Sequence, residues 1–489
     1  MTDIYQAYIG GRFTNGETGE FLTSINPATE EAVAQVPICP AADVDQAVLA
    51  ARGAFAGGWK KTRPADRATI LRQIAAGIRS HGAELAAIET EDSGKLLKDN
   101  INSDVPEAAS CFDHFANTLS DLAGRTYAVP FGSFVDYSVR EPIGVVAAVA
   151  AWNYPLVNAA WKIAPAIAAG NSVVYKPAED TSLSALLLAR IIDETDAPKG
   201  IVNVVTGPGA VTGAALTAHS GVDKISFTGS TATGRSILHA AANNITGATL
   251  ELGGKSPNII FDDCNLEQAI AGAMFAIFVN AGQVCTAGSR LLVQEGIYNQ
   301  FMDRFVRAAE AIRVGDPLAP ESQMGPLVSG RHFERVSGFI QQAKHDGARL
   351  RTGGVRPAAM KRGFYLAPTI FDKVGAGTQL DQEEVFGPVA AVIPFRTDDD
   401  ALRIANGTSF GLAAGVWTQN LSRAHRLAAE LVAGTVWINT YNIACSGIPF
   451  SGFKQSGIGV ELGDEGLKEY TRLKNICIDL SDAPIDYFG

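Results

Sequence analysis

A chain of 489 residues is too long for one hydrophobic core, so two or more packed domains with room for a deep cleft are expected. Its composition is 47% hydrophobic and 19% charged, with 50 glycines and 22 prolines, which excludes a disordered or collagen-like chain. The formal net charge of −11 argues against nucleic acid or an anionic membrane as partner.

The start, MTDIYQAYIGGRF, lacks the basic residues, apolar run and small-residue cleavage site of an export signal, so a cytoplasmic location is expected. Positions 42–95 carry apolar residues at spacings of three and four, which predicts helices covering one face of a sheet. FVDYSVR at 134–140 and NICIDL at 475–480 have strand patterning and flank the main blocks. They read either as protruding edge strands open to another subunit or as strands paired within the monomer.

From Val145 onward, short apolar runs alternate with helix-length segments: VVAAVAA, SVVYK at 172–176, IVNVV at 201–205, KISF at 224–227 and ATLEL at 248–252. None alternates with period two, which suits strands buried on both faces of a parallel sheet, with helices such as 182–195 as crossovers. That pattern predicts a nucleotide-binding type of domain with its ligand at the carboxyl ends of the strands. The most apolar stretch, 144–170, is interrupted by Asn153, Pro155, Asn158, Lys162 and Pro165 and offers no uninterrupted membrane span. After Gly254 a second α/β series begins, with PNIIF, RLLVQ, VAAVIPF, LAAGVWT and GTVWIN as strands.

The six cysteines are scattered and read as reduced thiols; Cys39, Cys111, Cys264 and Cys477 are taken as buried structural residues. Cys285 follows a Gly-containing turn and precedes what reads as a helix start, where backbone N–H donors would lower its pKa. Glu251 ends an apolar strand, and two glycines after it let other groups approach the backbone. Asn153, in WNYP before a proline that opens a helix, could donate to an oxyanion together with the Cys285 N–H. Taken singly, each is ordinary: a core cysteine, a solvated glutamate, a loop asparagine. The seven histidines are dispersed, which gives no metal-ligand spacing and places none beside these motifs. FTGSTATGRS at 227–236 follows a strand and opens a helix, so Gly229 and Ser230 could hold a pyrophosphate; Arg235 stands where a P-loop needs lysine.

In LELGGKSP, FVNAGQVC, WNYP and PFSGFKQSGIG the sequence resembles the aldehyde dehydrogenase superfamily, in its hydrolytic, NAD(P)-dependent branch, over essentially the whole chain. The resemblance implies two doubly wound α/β domains, a Rossmann-like cofactor domain and a catalytic thiol domain, plus a small β oligomerisation arm. Expected boundaries are 1–123 and 143–253 for the NAD-binding domain, 254–453 for the catalytic domain, and 124–142 with 470–489 for the arm. It also implies Cys285 as nucleophile, Asn153 as oxyanion donor, Glu251 as the base for deacylation, and Lys162 with Glu461 as a proton-relay pair. An ordinary structural ion pair is the competing reading of those last two.

For the cofactor, the resemblance implies Trp152, Lys176, Glu179, Gly229, Ser230, Glu384 and Phe386, with no metal. Glu179 accepts from ribose hydroxyls and repels a 2′-phosphate, so NAD is expected over NADP, unless nearby cations offset the repulsion. The substrate funnel would be Tyr154, Val157, Trp161, Val279, Val284, Ala444 and Phe450, which suggests a medium to bulky apolar or aromatic aldehyde. The alternative is a betaine-type or other small polar aldehyde, since Tyr154 and Trp161 match an aromatic cation box, although Phe450 stands where those enzymes usually have tryptophan. Val460 in GVELG and Ser451 also depart from the family pattern. A homodimer or homotetramer is expected. Two other classes stay open: a cysteine acyltransferase or hydrolase without nicotinamide, and a non-catalytic structural protein.

Overall fold

The structure is a computed structural model that describes residues 3–482 and 488; the rest of the expected arm, at 483–487 and 489, lies outside the described residues. Five strands form the parallel core of the first large sheet: β1 is Val145–Val149, β2 Ser172–Lys176, β3 Val202–Val204, β4 Lys224–Thr228 and β5 Gly247–Glu251. They lie in the order β5-β4-β1-β2-β3, all parallel. Antiparallel strands complete an eight-stranded sheet: Gly457–Ile458 beyond β5, and Ala7–Ile9 then Arg12–Thr14 beyond β3.

Every residue of β1, β2 and β3 is buried, which is why their sequences show no alternation. Val145 and Ala147 point into one core and Val146 and Ala148 into the other. The helices at 42–95 correspondingly divide, and do not share one face as the periodicity suggested. Helix α1 (Ala41–Ala56) packs Val44, Val48 and Ala51 on the Val145 side. Helices α2 (Pro64–Ser80), α3 (Gly82–Ser93) and α4 (Val105–Thr118) belong to the Val146 side. There α5 (Pro155–Ala168) and α6 (Leu183–Asp193) supply the crossovers from β1 and β2, and α2 and α4 stack on α5 as a further layer. Helix α5 is therefore sandwiched, and every one of its residues except Trp161 is buried.

Chain order reverses between β1 and β4, and at such a point the loops leaving adjacent strands diverge and open a crevice. Trp152 and Asn153 leave β1 there, and Gly229 and Ser230 lead from β4 into α7 (Thr231–Asn244).

The second sheet has β6 (Pro257–Ile260), β7 (Arg290–Gln294), β8 (Thr369–Asp372), β9 (Val389–Phe395), β10 (Ala413–Trp417) and β11 (Thr435–Ile438). Their order is β8-β9-β7-β6-β10-β11, all parallel, with Arg349–Thr352 antiparallel outside β8. Helices α8 (Leu266–Phe278) and α9 (Gly330–His345) pack against it. Phe134–Pro142 and Thr471–Asp479 pair with each other, antiparallel along their full lengths, and Thr126–Tyr127 adds to the inner strand. The thiol of Cys477, expected to be buried, is exposed, because its strand stands on the outer edge of this small sheet.

Candidate active site

Glu251 is the last residue of β5 and is 3% exposed, with both carboxylate oxygens unpartnered. Burial, then the Glu461 carboxylate, push its pKa well above the ordinary range, and Lys162 pulls the other way. The two glycines that follow are needed for close approach. A Cβ at Gly253 would lie 2.4 Å from Glu384 Oε2, and one at Gly254 would lie 2.4 Å from the Cys285 carbonyl oxygen.

Cys285 sits in a turn between the short 3₁₀ segment Val279–Gly282 and β7, not at a helix start. The expected lowering of its pKa is likewise reversed. Burial, then Glu384 and Glu251, push the thiol up to about 12, and the backbone N–H groups of Thr286 and Cys285 only partly oppose them. The approach to the thiol is shaped by Asn280 and Ala281, both left-handed at φ 49° and 53°. Asn153 is tied to this turn: its Nδ2 donates to the Gln283 carbonyl at 3.0 Å, and Asn280 Nδ2 donates to the Asn153 carbonyl at 3.0 Å.

Lys162 on α5 is fully buried and lies 2.5 Å from Glu461 Oε1. Ser226 on β4 donates to the same oxygen at 3.1 Å and accepts from Lys162 and from the Tyr470 hydroxyl, each at 3.2 Å.

A cavity of about 780 Å³ brings these groups together: Cys285, Glu251, Asn153 and Glu461 line it, with Lys162 behind Glu461. Trp152, Gly229, Ser230, Glu384 and Phe386 also line it, as do Tyr154, Val157, Trp161, Val279, Ala444 and Phe450. Val284 does not. Next to the thiol in sequence, it faces the opposite way and packs into the second core with Ala281 and Ala287. Lys176 and Glu179 are also off this wall: Lys176 Nζ donates to the Pro177 carbonyl at 2.8 Å, and Glu179 accepts from the Gly209 N–H at 2.7 Å. Ser230 caps α7, accepting from the Thr233 N–H, and no acidic residue follows in the first turn. Glu384 accepts from the Gly254 N–H at 2.9 Å, and burial pushes its pKa up to about 7.

Sequence reasoning missed part of the wall. Arg331, His332 and Arg335 come from the first turns of α9, where a cap serine followed by RHFER was the available signal. The expectation that no histidine approaches the motifs is thus corrected. His332 packs 4.9 Å from the Trp152 ring, and its Nε2 donates to the Phe386 carbonyl at 2.7 Å, an interaction that fixes the ring near Phe386. Burial drops its pKa to about 4. Arg331 also lies 3.5 Å from Glu179, the kind of nearby cation that tempers a preference against a 2′-phosphate. Lys95, Asp99, Asp104 and Glu107 reach the cavity from either end of the π-helical turn Asn100–Asp104. No periodicity marks that turn in advance, so the expectation of an apolar funnel left out its charged side.

The family model described as the aldehyde dehydrogenase family matches residues 13–476. Betaine aldehyde dehydrogenase of Mesorhizobium japonicum is 45% identical, covering 98% of this chain and 98% of that protein. Two solved structures are similar along their whole length. Betaine aldehyde dehydrogenase from Staphylococcus aureus in complex with NAD+ has a TM-score of 0.97 at 38% identity, covering 99% of this chain and 97% of that one. The NAD+ complex of aldehyde dehydrogenase from Bacillus cereus has a TM-score of 0.96 at 41% identity, covering 98% and 97%. Likeness on this scale takes in both parallel sheets, the paired strands outside them and the cavity between: the chain belongs to the aldehyde dehydrogenase family.

Proposed function

We propose that this enzyme oxidises a small cationic aldehyde, of the betaine-aldehyde type, to its acid with NAD, through a thioester on Cys285. The observation that carries the chemistry is the convergence of Cys285, Glu251 and Asn153 on one cavity, with both oxygens of Glu251 unpartnered. An unpartnered, buried carboxylate beside a thiol is costly to keep unless a proton-transfer role uses it.

The residues fit the dinucleotide. The amino end of α7, free of acidic residues and flanked by Gly229 and Ser230, suits a pyrophosphate. Trp152, Glu384 and Phe386 would hold the nicotinamide end, and Lys176 and Glu179 the adenosine ribose. NAD, when bound, supplies the hydride acceptor. Cys285, once its thiol has released its proton to water, bonds through Sγ to the aldehyde carbon, while Asn153 Nδ2 and the Cys285 N–H hold the oxyanion. After the thioester forms, Glu251 takes a proton from water, whose oxygen displaces the sulfur and gives acid and free thiol. Lys162 and Glu461 set the field in which Glu251 gains and loses that proton.

Support for a cationic substrate comes from the wall that sequence reasoning missed. Asp99 and Glu107 line the cavity together with Trp161 and Phe450, whose ring centroids are 5.6 Å apart. Relatives that bear the betaine aldehyde dehydrogenase name match nearly end to end. The apolar or aromatic aldehyde suggested by Val157, Val279 and Ala444 is the second reading. The domain boundaries given above, and subunit pairing through the outer edge of Thr471–Asp479, belong to the same proposal. Steady-state comparison of benzaldehyde, decanal and betaine aldehyde, each with NAD and NADP, tests it. Preference for decanal or benzaldehyde overturns the substrate reading, and failure of every aldehyde to yield reduced nicotinamide overturns the chemistry.

A further inference from the structure

The cavity holds a positive charge of its own. Lys95, two residues beyond the end of α3, is 4% exposed, and its ammonium lies 3.6 Å from the centroid of the Tyr154 ring. The same ammonium pairs with Asp104, itself 3% exposed. Lysine, ring and carboxylate all line the cavity that holds Cys285. A ring presents its negative quadrupole through two faces, and a cation resting on one face satisfies it there. An ion pair likewise removes most of the attraction Asp104 could offer to a third charge. Tyr154 adjoins Asn153 at the N-terminus of α5, so this pair stands on the cavity wall next to the amide tied to the thiol's turn.

We infer that Lys95 is a specificity-determining residue: its ammonium takes the place at Tyr154 and Asp104 that a substrate's positive charge would otherwise fill, and so sets how far the enzyme prefers cationic over neutral aldehydes. The inference rests on the cavity being the aldehyde site, as proposed above, and concerns the selectivity of that site. Removing Lys95 alone would leave the Asp104 carboxylate buried without a partner, a change that threatens folding. The charge-balanced pair Lys95→Ala with Asp104→Asn removes both ions and vacates the ring face. Lys95→Met keeps the bulk and unmasks Asp104.

The test uses two aldehydes of one shape. Betaine aldehyde carries a trimethylammonium group, and 3,3-dimethylbutanal carries the neutral tert-butyl group in its place. The quantity read is the ratio of kcat/KM for the cation to kcat/KM for the neutral isostere, in the full-length enzyme with NAD, with thermal melting to verify folding. In the double variant the ratio is expected to rise about fivefold, through KM for the cation. Lys95→Met, if folded, should raise it further. An unchanged or lower ratio in the folded double variant overturns the role of Lys95. A wild type that ignores betaine aldehyde overturns the substrate proposal instead, and a double variant that gains that activity still supports Lys95 as the discriminating charge.

Discussion

Glu461 and Phe450 exchange both backbone hydrogen bonds, at 2.7 and 2.8 Å, so the anion that pairs with Lys162 and a ring of the cavity wall sit on one rigid bridge. Val460, the departure from the family pattern, is half-buried immediately before it. Glu461 acts on the charge of Glu251, and that makes the relay testable. Glu461 raises the Glu251 pKa and Lys162 lowers it. Glu461→Gln should therefore shift the rise of kcat with pH to lower pH, and Lys162→Met should shift it to higher pH. A structural ion pair alone predicts loss of stability, about 3–5 kcal/mol for either variant, with no opposed movement of the profiles.

Glu251→Gln should still form the acyl-enzyme and then stall. Rapid mixing should show a burst of reduced nicotinamide near one per active site, followed by a steady rate about 100-fold or more below wild type. Intact-protein mass would carry the acyl group on Cys285. Loss of the burst together with the steady rate would assign Glu251 to an earlier step.

Because the Cys285 thiol is pushed up to about 12, only its rare thiolate reacts at neutral pH. Inactivation by iodoacetamide should speed up about tenfold per pH unit between pH 7 and 9. Glu384 is the leading charged cause of the raised value, so Glu384→Gln should accelerate alkylation at pH 8 to 9, where that carboxyl is ionised. A pH-independent rate would show a thiolate already formed.

Buried Asp92, which accepts from Ser24 and from the Leu183 N–H at the start of α6, has its pKa raised by burial from 3.8 to about 7. Glu384 is raised from 4.5 to about 7. A carboxyl that holds its proton longer when folded contributes its full stability below its unfolded pKa and loses it as pH rises toward the folded one. Resistance to urea should thus fall between about pH 4 and pH 7 and level off above, at up to ~1.4 kcal/mol per pH unit for each group. Asp92→Asn should flatten that slope; an equal slope in the variant would rule out Asp92 as its source.

Strands buried on both faces announce themselves as unbroken apolar runs, and β1 to β6 lie within a residue or two of where those runs predict them. Glycines whose neighbours press against them, such as Gly253 and Gly254, were legible for the same local reason. What the sequence hid depends on layers and on backbone irregularity. Nothing in the periodicity of 42–95 tells α1 from α2, because the choice of face is made by α5 and α6 more than sixty residues later. The charged wall of Lys95, Asp99, Asp104 and Glu107 is assembled around a π-helical turn whose spacing matches no simple repeat. The thiol's turn precedes a strand and not a helix, and its pKa moves opposite to expectation, because burial among carboxylates outweighs two backbone donors.

Helix α5 lies between the sheet and an outer helical layer with Trp161 as its one partly exposed member. Such a helix has almost no freedom to drift, since nearly every substitution along it would disturb packing on two sides. Change in the shape of the cavity is thereby channelled to Trp161 itself and to the segments facing it, which can vary while the rest of this helix stays unchanged.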